Sequence, residues 1–212
     1  MNITLFGATG ALGSECLQQA LQAGHQLTVL VRNADKLPQS LRDQINVIQG
    51  DALQAEDVEK ALSAETDAIL FALGVDKQSP ENLCTDATRT IIEVMRRLNI
   101  KRLVWCGGGS TLVEQDQPGF GEKFVRWYSE KFLRLRHEDK EHQYRLLQQH
   151  RDICWIGLRP LQMNPGKKTG QYRIGFDRFS GLSKISFADC AHGMLAMLES
   201  DQWIGKAPVI QY

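Results

Sequence analysis

The chain has 212 residues, 42% of them hydrophobic and 24% charged, which suits one substantial core in an ordinary globular protein. Lys plus Arg balances Asp plus Glu, 25 against 25, so no global field favours nucleic acid or an anionic membrane as partner. No apolar run approaches the ~20 residues needed to span a bilayer, and with the first strand starting at once no signal peptide is expected.

That first strand carries the strongest signal. Residues 3–6 form a short, largely apolar strand and run straight into Gly7-Ala8-Thr9-Gly10-Ala11-Leu12-Gly13, after which Leu12, Cys16, Leu17, Ala20 and Leu21 recur at helical spacing. A strand, a tight turn and a helix in this order need glycine for three separate reasons. One permits the sharp exit from the strand, one lets backbone N–H groups approach a pyrophosphate, and one lets helix and strand pack closely. The phosphates would sit at the helix amino terminus, where unpaired N–H groups and the helix dipole favour negative charge. A loop of this composition also occurs as a plain turn; its place between strand and helix favours the nucleotide.

After Gly24, residues 26–31 predict a second buried strand ending at Arg32. An acidic residue about 20 positions beyond the glycines would bind an adenine ribose, whereas an arginine pairs with a 2′-phosphate. Arg32 lies 19 residues past Gly13, with Lys36 close behind, so NADP(H) is favoured over NAD. A third strand at 45–48 closes in Gly50-Asp51. Asp51, beside Ala52, is placed either to bond the adenine amino group or to cap a turn.

A helix over 55–63, a fourth strand over 67–74 ending in Ala72-Leu73-Gly74, a helix over 84–98 and a fifth strand over 102–106 follow. The fifth strand, ending at Cys106, runs into Gly107-Gly108-Gly109-Ser110. This alternation predicts an α/β fold: a Rossmann-type doubly wound parallel sheet in three α/β/α layers, one domain over 1–212 with small carboxyl-terminal elements on the substrate side. Ligands on such a sheet bind beyond the carboxyl ends of the strands, where these glycines collect.

Residues 112–127 break the rhythm around Pro118-Gly119-Phe120-Gly121, with Phe124, Trp127 and Tyr128 following. The segment is either an aromatic lid or a loop leading to an amphipathic helix whose aromatics are core. A charged helix over 129–149 shows a solvated face, and a sixth strand over 153–158 is stopped by Arg159-Pro160. A loop over 165–170 precedes Ile185-Ser186-Phe187-Ala188-Asp189, which caps a final helix over 190–198.

Together, the glycine run, Val29-Leu30-Val31-Arg32, the stretch from Gly50-Asp51 to Asp57-Val58, Leu73-Gly74, Leu158-Arg159-Pro160 and residues 185–189 resemble the atypical short-chain dehydrogenase/reductase group with NmrA-like, NAD(P)H-binding members. Within it the chain is most similar to the biliverdin-IXβ reductase, or flavin reductase, type, over nearly its whole length. The resemblance implies a Rossmann-type fold, NADP(H), and hydride transfer to a small-molecule acceptor such as a flavin or tetrapyrrole. It implies cofactor contacts from Gly7, Thr9, Gly10, Ala11, Leu12, Gly13, Arg32, Lys36, Asp51, Ala52, Ala72, Leu73, Gly74, Cys106, Gly107, Gly108 and Pro160.

The chain also departs from the group. Carbonyl-reducing members use Tyr-x-x-x-Lys; Lys140 lies in the matching helix, yet Arg136 stands four residues before it, and Tyr128 and Lys131 are only three apart. Ketone chemistry is therefore disfavoured, whereas flavin reduction survives because hydride passes directly between stacked rings. An epimerase is disfavoured for the same reason. Ser110, displaced with Thr111 behind the triple glycine, and Lys140 are the candidate catalytic residues. The alternative is an NADP-binding redox sensor or regulator without catalysis.

No metal site is expected. His137, His142 and His150 are spaced by five and eight residues and have no cysteine partner, and His192 reads as packed or exposed. No Gly-x-Ser-x-Gly elbow is present to anchor a hydrolase triad. Cys16, Cys84, Cys106, Cys154 and Cys190 contain no Cys-x-x-Cys pair, which fits a reducing, cytoplasmic setting. A monomer or small homo-oligomer is expected, with no nucleic-acid or membrane partner.

Overall fold

In the computed structural model, which describes residues 1–76, 78–117, 119–176 and 184–212, side-chain alternation sets the layering. In β1 (Asn2–Phe6), Ile3 and Leu5 enter one core and Phe6 the other. Period-2 alternation on a strand buried on both faces requires this. β1 pairs in parallel with β2 (Gln26–Val31) and β4 (Ala68–Phe71), so that Ile3 lies opposite Leu27 and Ala68. β3 (Asn46–Gln49) lies outside β2; β5 (Arg102–Cys106) and β6 (Cys154–Pro160) continue beyond β4, all parallel. The order β3-β2-β1-β4-β5-β6 reverses direction between β1 and β4, the topological switch point of a doubly wound sheet. The result is the predicted Rossmann-type α/β fold.

One apolar face is covered by α1 (Ala11–Gln22) and α7 (Phe187–Ala196), through Leu12, Cys16, Leu17, Ala191 and Met194. The other is covered by α3 (Ala55–Ala61), α4 (Leu83–Arg97) and α6 (Arg134–Gln148), through Val58, Ile91, Met95, Tyr144 and Leu147. A short α2 (Gln39–Arg42) bridges β2 and β3. Asp139 of α6 anchors α4: its carboxylate accepts the N–H groups of Cys84 and Thr85 at 2.8 and 2.9 Å. These are two amides that a helix start leaves without partners.

Besides the short α2, where the sequence reads as a loop, the structure differs from the sequence reading in four places. The predicted helix over 129–149 is two, α5 (Phe120–Phe132) and α6, broken where Leu133 leaves helical geometry at φ −127° and ψ 32°. The irregular segment thus becomes helical from Phe120. The helix of the second alternative is present, yet Phe124, Trp127 and Tyr128 are exposed rather than core; Pro118 lies outside the described residues. The last helix begins at Phe187, capped by Ser186, three residues earlier than predicted. Finally, β10 (Val209–Gln211) adds in parallel to β6 and in antiparallel to β8 (Arg173–Gly175), while β7 (Met163–Asn164) pairs with β9 (Ile185–Ser186). Among the described residues no helix is long and apolar enough to cross a membrane.

Candidate cofactor and acceptor site

The chain leaves β1 at Gly7 with φ +92°, and a Cβ there would stand 2.7 Å from the backbone of Ala72. A Cβ on Gly13 would lie 2.0 Å from the carbonyl oxygen of Gly7, so α1 packs its first turn directly on the loop. Both glycines are required by the fold. Gly10 is not: its φ is −82° and its nearest contact at the Cβ position is 3.4 Å. Thr9, Gly10 and Ala11 are exposed, Leu12 and Gly13 are buried, and no side chain caps the helix. Ser14 makes the first hydrogen bond back into the helix, to Gly10, so the N–H groups of Ala11, Leu12 and Gly13 have no partner within it. Free amides at a helix N-terminus beside a bare Gly10 form a cradle for an anion.

The same test sorts the other glycines on this edge. Gly107 is packed by Trp105 and Arg159, and Gly109 by the backbone of Leu161 at 2.5 Å. At Gly74 nothing lies within 4 Å of the Cβ position, and at Gly108 the nearest atoms are the Lys140 side chain at 3.6 Å. Gly10, Gly74 and Gly108, whose Cβ positions meet nothing closer than 3.4 Å, therefore mark a strip of open backbone bordered by the Lys140 side chain at Gly108. It runs past the carboxyl ends of β1, β4 and β5, adjacent strands at the switch point. Ala72, buried under Gly7, and Leu73 form its floor.

Arg32 and Lys36 are exposed past the end of β2. Arg32 makes no ion pair or hydrogen bond among the described residues, and its charge helps hold the Asp76 carboxyl below its usual value, after the hydrogen bonds from Gln78 and Ser79. At Asp51 the turn-cap alternative is seen: Oδ1 accepts the Leu53 N–H at 3.0 Å, and the Asp51 N–H donates to Asp57 at 3.0 Å. Ala52 is buried beneath it.

At the other end of the strip Lys140 is buried. Its Nζ donates to the Cys106 carbonyl at 2.9 Å, Gln143 Oε1 at 3.1 Å and the Leu73 carbonyl at 3.4 Å, bridging the ends of β4 and β5. An ammonium has three protons, and all three are engaged. Pro160 is buried at the end of β6, and its carbonyl accepts the Gly109 N–H at 3.0 Å, holding the glycine turn. Ser110 is partly exposed, with Oγ 2.9 Å from His137 Nδ1, whereas Thr111 Oγ1 is buried without a partner among the described residues. Burial pushes the His137 imidazole below its usual pKa, against the carboxylate of Glu141. His137 was missed as a site residue; its spacing of three before Lys140 puts both on one helix face. The structure thus brings every predicted residue to one edge of the sheet. A separate polar groove between the amino ends of β1, β2 and β3 lies on the opposite edge, which α/β sheets leave without ligand. No group of three or more His, Cys, Asp or Glu that could hold a metal occurs among the described residues.

This geometry defines a dinucleotide-binding α/β protein. A family model described as NAD(P)H-binding matches residues 7–201, and the chain belongs to that family. The Bacillus subtilis protein YwnB, itself uncharacterised, is 32% identical over 215 residues, covering 94% of this chain and 92% of its own length. Among solved structures, the anaerobilin reductase ChuY of Escherichia coli O157:H7 superposes with a TM-score of 0.81 at 19% identity, over all of this chain and 97% of its own. A provisionally named NADH-flavin reductase of Streptococcus pneumoniae TIGR4 does so with a TM-score of 0.76 at 21% identity, over all of this chain and 99% of its own. At such identities the two structures establish a shared fold, consistent with the atypical, NmrA-like short-chain dehydrogenase/reductase group.

Proposed function

We propose that this protein is an NADPH-dependent oxidoreductase that passes hydride to a flat acceptor such as a flavin, quinone or tetrapyrrole. The observation that carries this reading is the strip at Gly10, Gly74 and Gly108, kept bare across three neighbouring strands and overlooked by the free N-terminus of α1. When bound, the nicotinamide supplies the hydride. The chain's contribution is to bind and align. Thr9 and the amides of residues 11–13 hold the pyrophosphate, while Arg32 and Lys36 receive the 2′-phosphate. Asp51 and Ala52 border the adenine; Leu73, Gly74 and Cys106 to Gly108 leave a flat bed on which two rings stack. Lys140 ties the ends of β4 and β5 together through the Leu73 and Cys106 carbonyls. The names of ChuY and of the pneumococcal neighbour support a flat acceptor. All five cysteines are free thiols, which supports a reducing, cytoplasmic setting.

The test is steady-state oxidation of NADPH and NADH with FMN, riboflavin, menadione and biliverdin. Turnover with at least one of them, faster with NADPH at low cofactor concentration, is expected. Tight NADP binding with no acceptor reduced would overturn the reading in favour of a cofactor-dependent regulator.

A further inference from the structure

We infer that Ser110 and His137 form the proton-delivery path of this site, the Ser110 hydroxyl protonating the reduced acceptor and the His137 imidazole replacing that proton. The inference rests on the reductase reading. Hydride adds a hydrogen and a negative charge to a flavin or quinone, so a proton must follow. Lys140 is committed to three acceptors, and Thr111 Oγ1 is buried. Ser110 is a partly exposed residue two beyond Gly108, on the edge where the strip ends.

Behind that hydroxyl the groups are in series. Ser110 Oγ lies 2.9 Å from His137 Nδ1. His137 Nε2 faces Glu141 Oε1 at 3.6 Å and Glu130 Oε1 at 3.8 Å, and the imidazole is nearly closed to solvent at 3% exposure. The charged groups around it are Glu138 and Glu141 from α6, and Glu130 and Arg126 from α5. Arg126 is itself paired with Glu141 at 2.6 Å and Glu130 at 2.8 Å, which offsets its repulsion of an imidazolium. His137 is thus an acid screened from water, touching the site through Ser110 among the described residues.

The step balances. NADPH is oxidised and the acceptor reduced. The Ser110 O–H bond breaks as an N–H or O–H bond forms on the acceptor anion. The Nδ1–H bond of a protonated His137 breaks as the hydroxyl is restored, leaving a neutral imidazole with its proton on Nε2, toward Glu141. After product leaves, solvent at Ser110 returns a proton to Nδ1 by the same path. Ser110 is the catalytic residue; His137 and Glu141 act through it. The rate then falls as pH rises through the His137 titration, which burial holds below the usual histidine value.

The experiment measures kcat and KM for NADPH with menadione between about pH 5 and pH 9, alongside NADP+ affinity and thermal melting. His137→Asn keeps an amide near the Nδ1 position but cannot titrate. It is expected to lower kcat about 10- to 100-fold near pH 6, flatten the pH profile and leave KM for NADPH nearly unchanged. Ser110→Ala is expected to do the same. Glu141→Gln keeps the inflexion and moves it to lower pH, because the imidazolium loses its carboxylate. Should His137→Asn fail to fold, the titration of the His137 ring nitrogens by NMR, compared in wild type and Ser110→Ala, reads the pair directly; a shifted midpoint is expected. An active wild type with unchanged profiles in the variants, or an unshifted midpoint, overturns the relay alone. A wild type that reduces no acceptor overturns the relay and the reductase reading together.

Discussion

Arg159 and Asp116 form a buried two-pronged ion pair, Nη2 to Oδ1 at 2.6 Å and Nη1 to Oδ2 at 2.9 Å. Arg159 also donates to the carbonyls of Ala207 and Thr111, and Asp116 accepts the Val113 N–H at 2.8 Å. The pair therefore fastens the loop after Ser110 to β6. Removing one partner of a buried pair strands the other charge, typically at about 3–5 kcal/mol. Arg159→Met is expected to lose about that much in urea denaturation, and adding Asp116→Leu to recover part of it. Losses that simply add would show that the two side chains are not coupled.

Gly10 and Gly13 are expected to respond oppositely to a side chain. A Cβ on Gly13 lies 2.0 Å from a backbone oxygen, so Gly13→Ala must pry α1 from the loop and lower thermal stability well before any effect on ligand is read. Gly10→Val sets its Cβ 3.4 Å from the Gly7 carbonyl oxygen, an ordinary contact, and the extended φ suits a β-branched residue. It loses a tolerable cap, about 1 kcal/mol or about 2–4 °C in Tm, but blocks approach to the free amides. Fluorescence titration with NADPH should show binding lost in a folded protein. Undiminished binding would remove the loop from the site.

These two glycines also show where the sequence stops being informative. The strand–loop–helix from Ile3 to Leu21 was legible because every signal in it is local, and β1 to β6 were legible as buried apolar runs. Which glycines are packed and which are bare is a tertiary fact: Gly107 answers to Trp105 and Gly109 to Leu161, neither of which periodicity reveals. β7 to β10 have two or three residues each, too short for a period of two to show. The break at Leu133 is hidden because the charge pattern continues through it. Asp51 carried two meanings in sequence, and its neighbours Leu53 and Asp57 show the turn cap, whereas His137 gained its place only through Ser110, 27 residues away.

Arg32 decides between the two cofactors. It is exposed beyond β2 without an ion pair or hydrogen bond among the described residues, and its charge acts on the exposed Asp76 carboxyl. A charge-assisted hydrogen bond to a phosphate is worth about 1.5–3 kcal/mol, or about 10- to 100-fold in affinity. Arg32→Asp should weaken NADPH by at least that factor while changing NADH little, since only the former carries the 2′-phosphate. Equal weakening of both, measured by paired titrations, would remove Arg32 from cofactor selection.

Asp189 ties the carboxyl-terminal elements to the sheet. Its buried carboxylate accepts the N–H groups of Thr169 and Gly170 at 2.8 Å each, the Thr169 hydroxyl at 2.8 Å and the Tyr212 hydroxyl at 2.7 Å, while its own N–H donates to the capping Ser186. Burial alone would raise its pKa, but the hydrogen bonds from Tyr212, Gly170 and Thr169 outweigh burial and bring it from 3.8 down to about 2. A carboxyl whose folded pKa is depressed stabilises fully above its unfolded value, near 3.8, and that stability is lost as pH falls through about 2. The contribution is on the order of 2 kcal/mol. Asp189→Asn should be less stable than wild type at neutral pH, and the gap should close as pH falls from about 4 to about 2. Urea midpoints at pH 7, 4 and 2.5 follow it; a gap that stays constant across that range means that the charge on Asp189 is not what secures residues 169–170 and Tyr212.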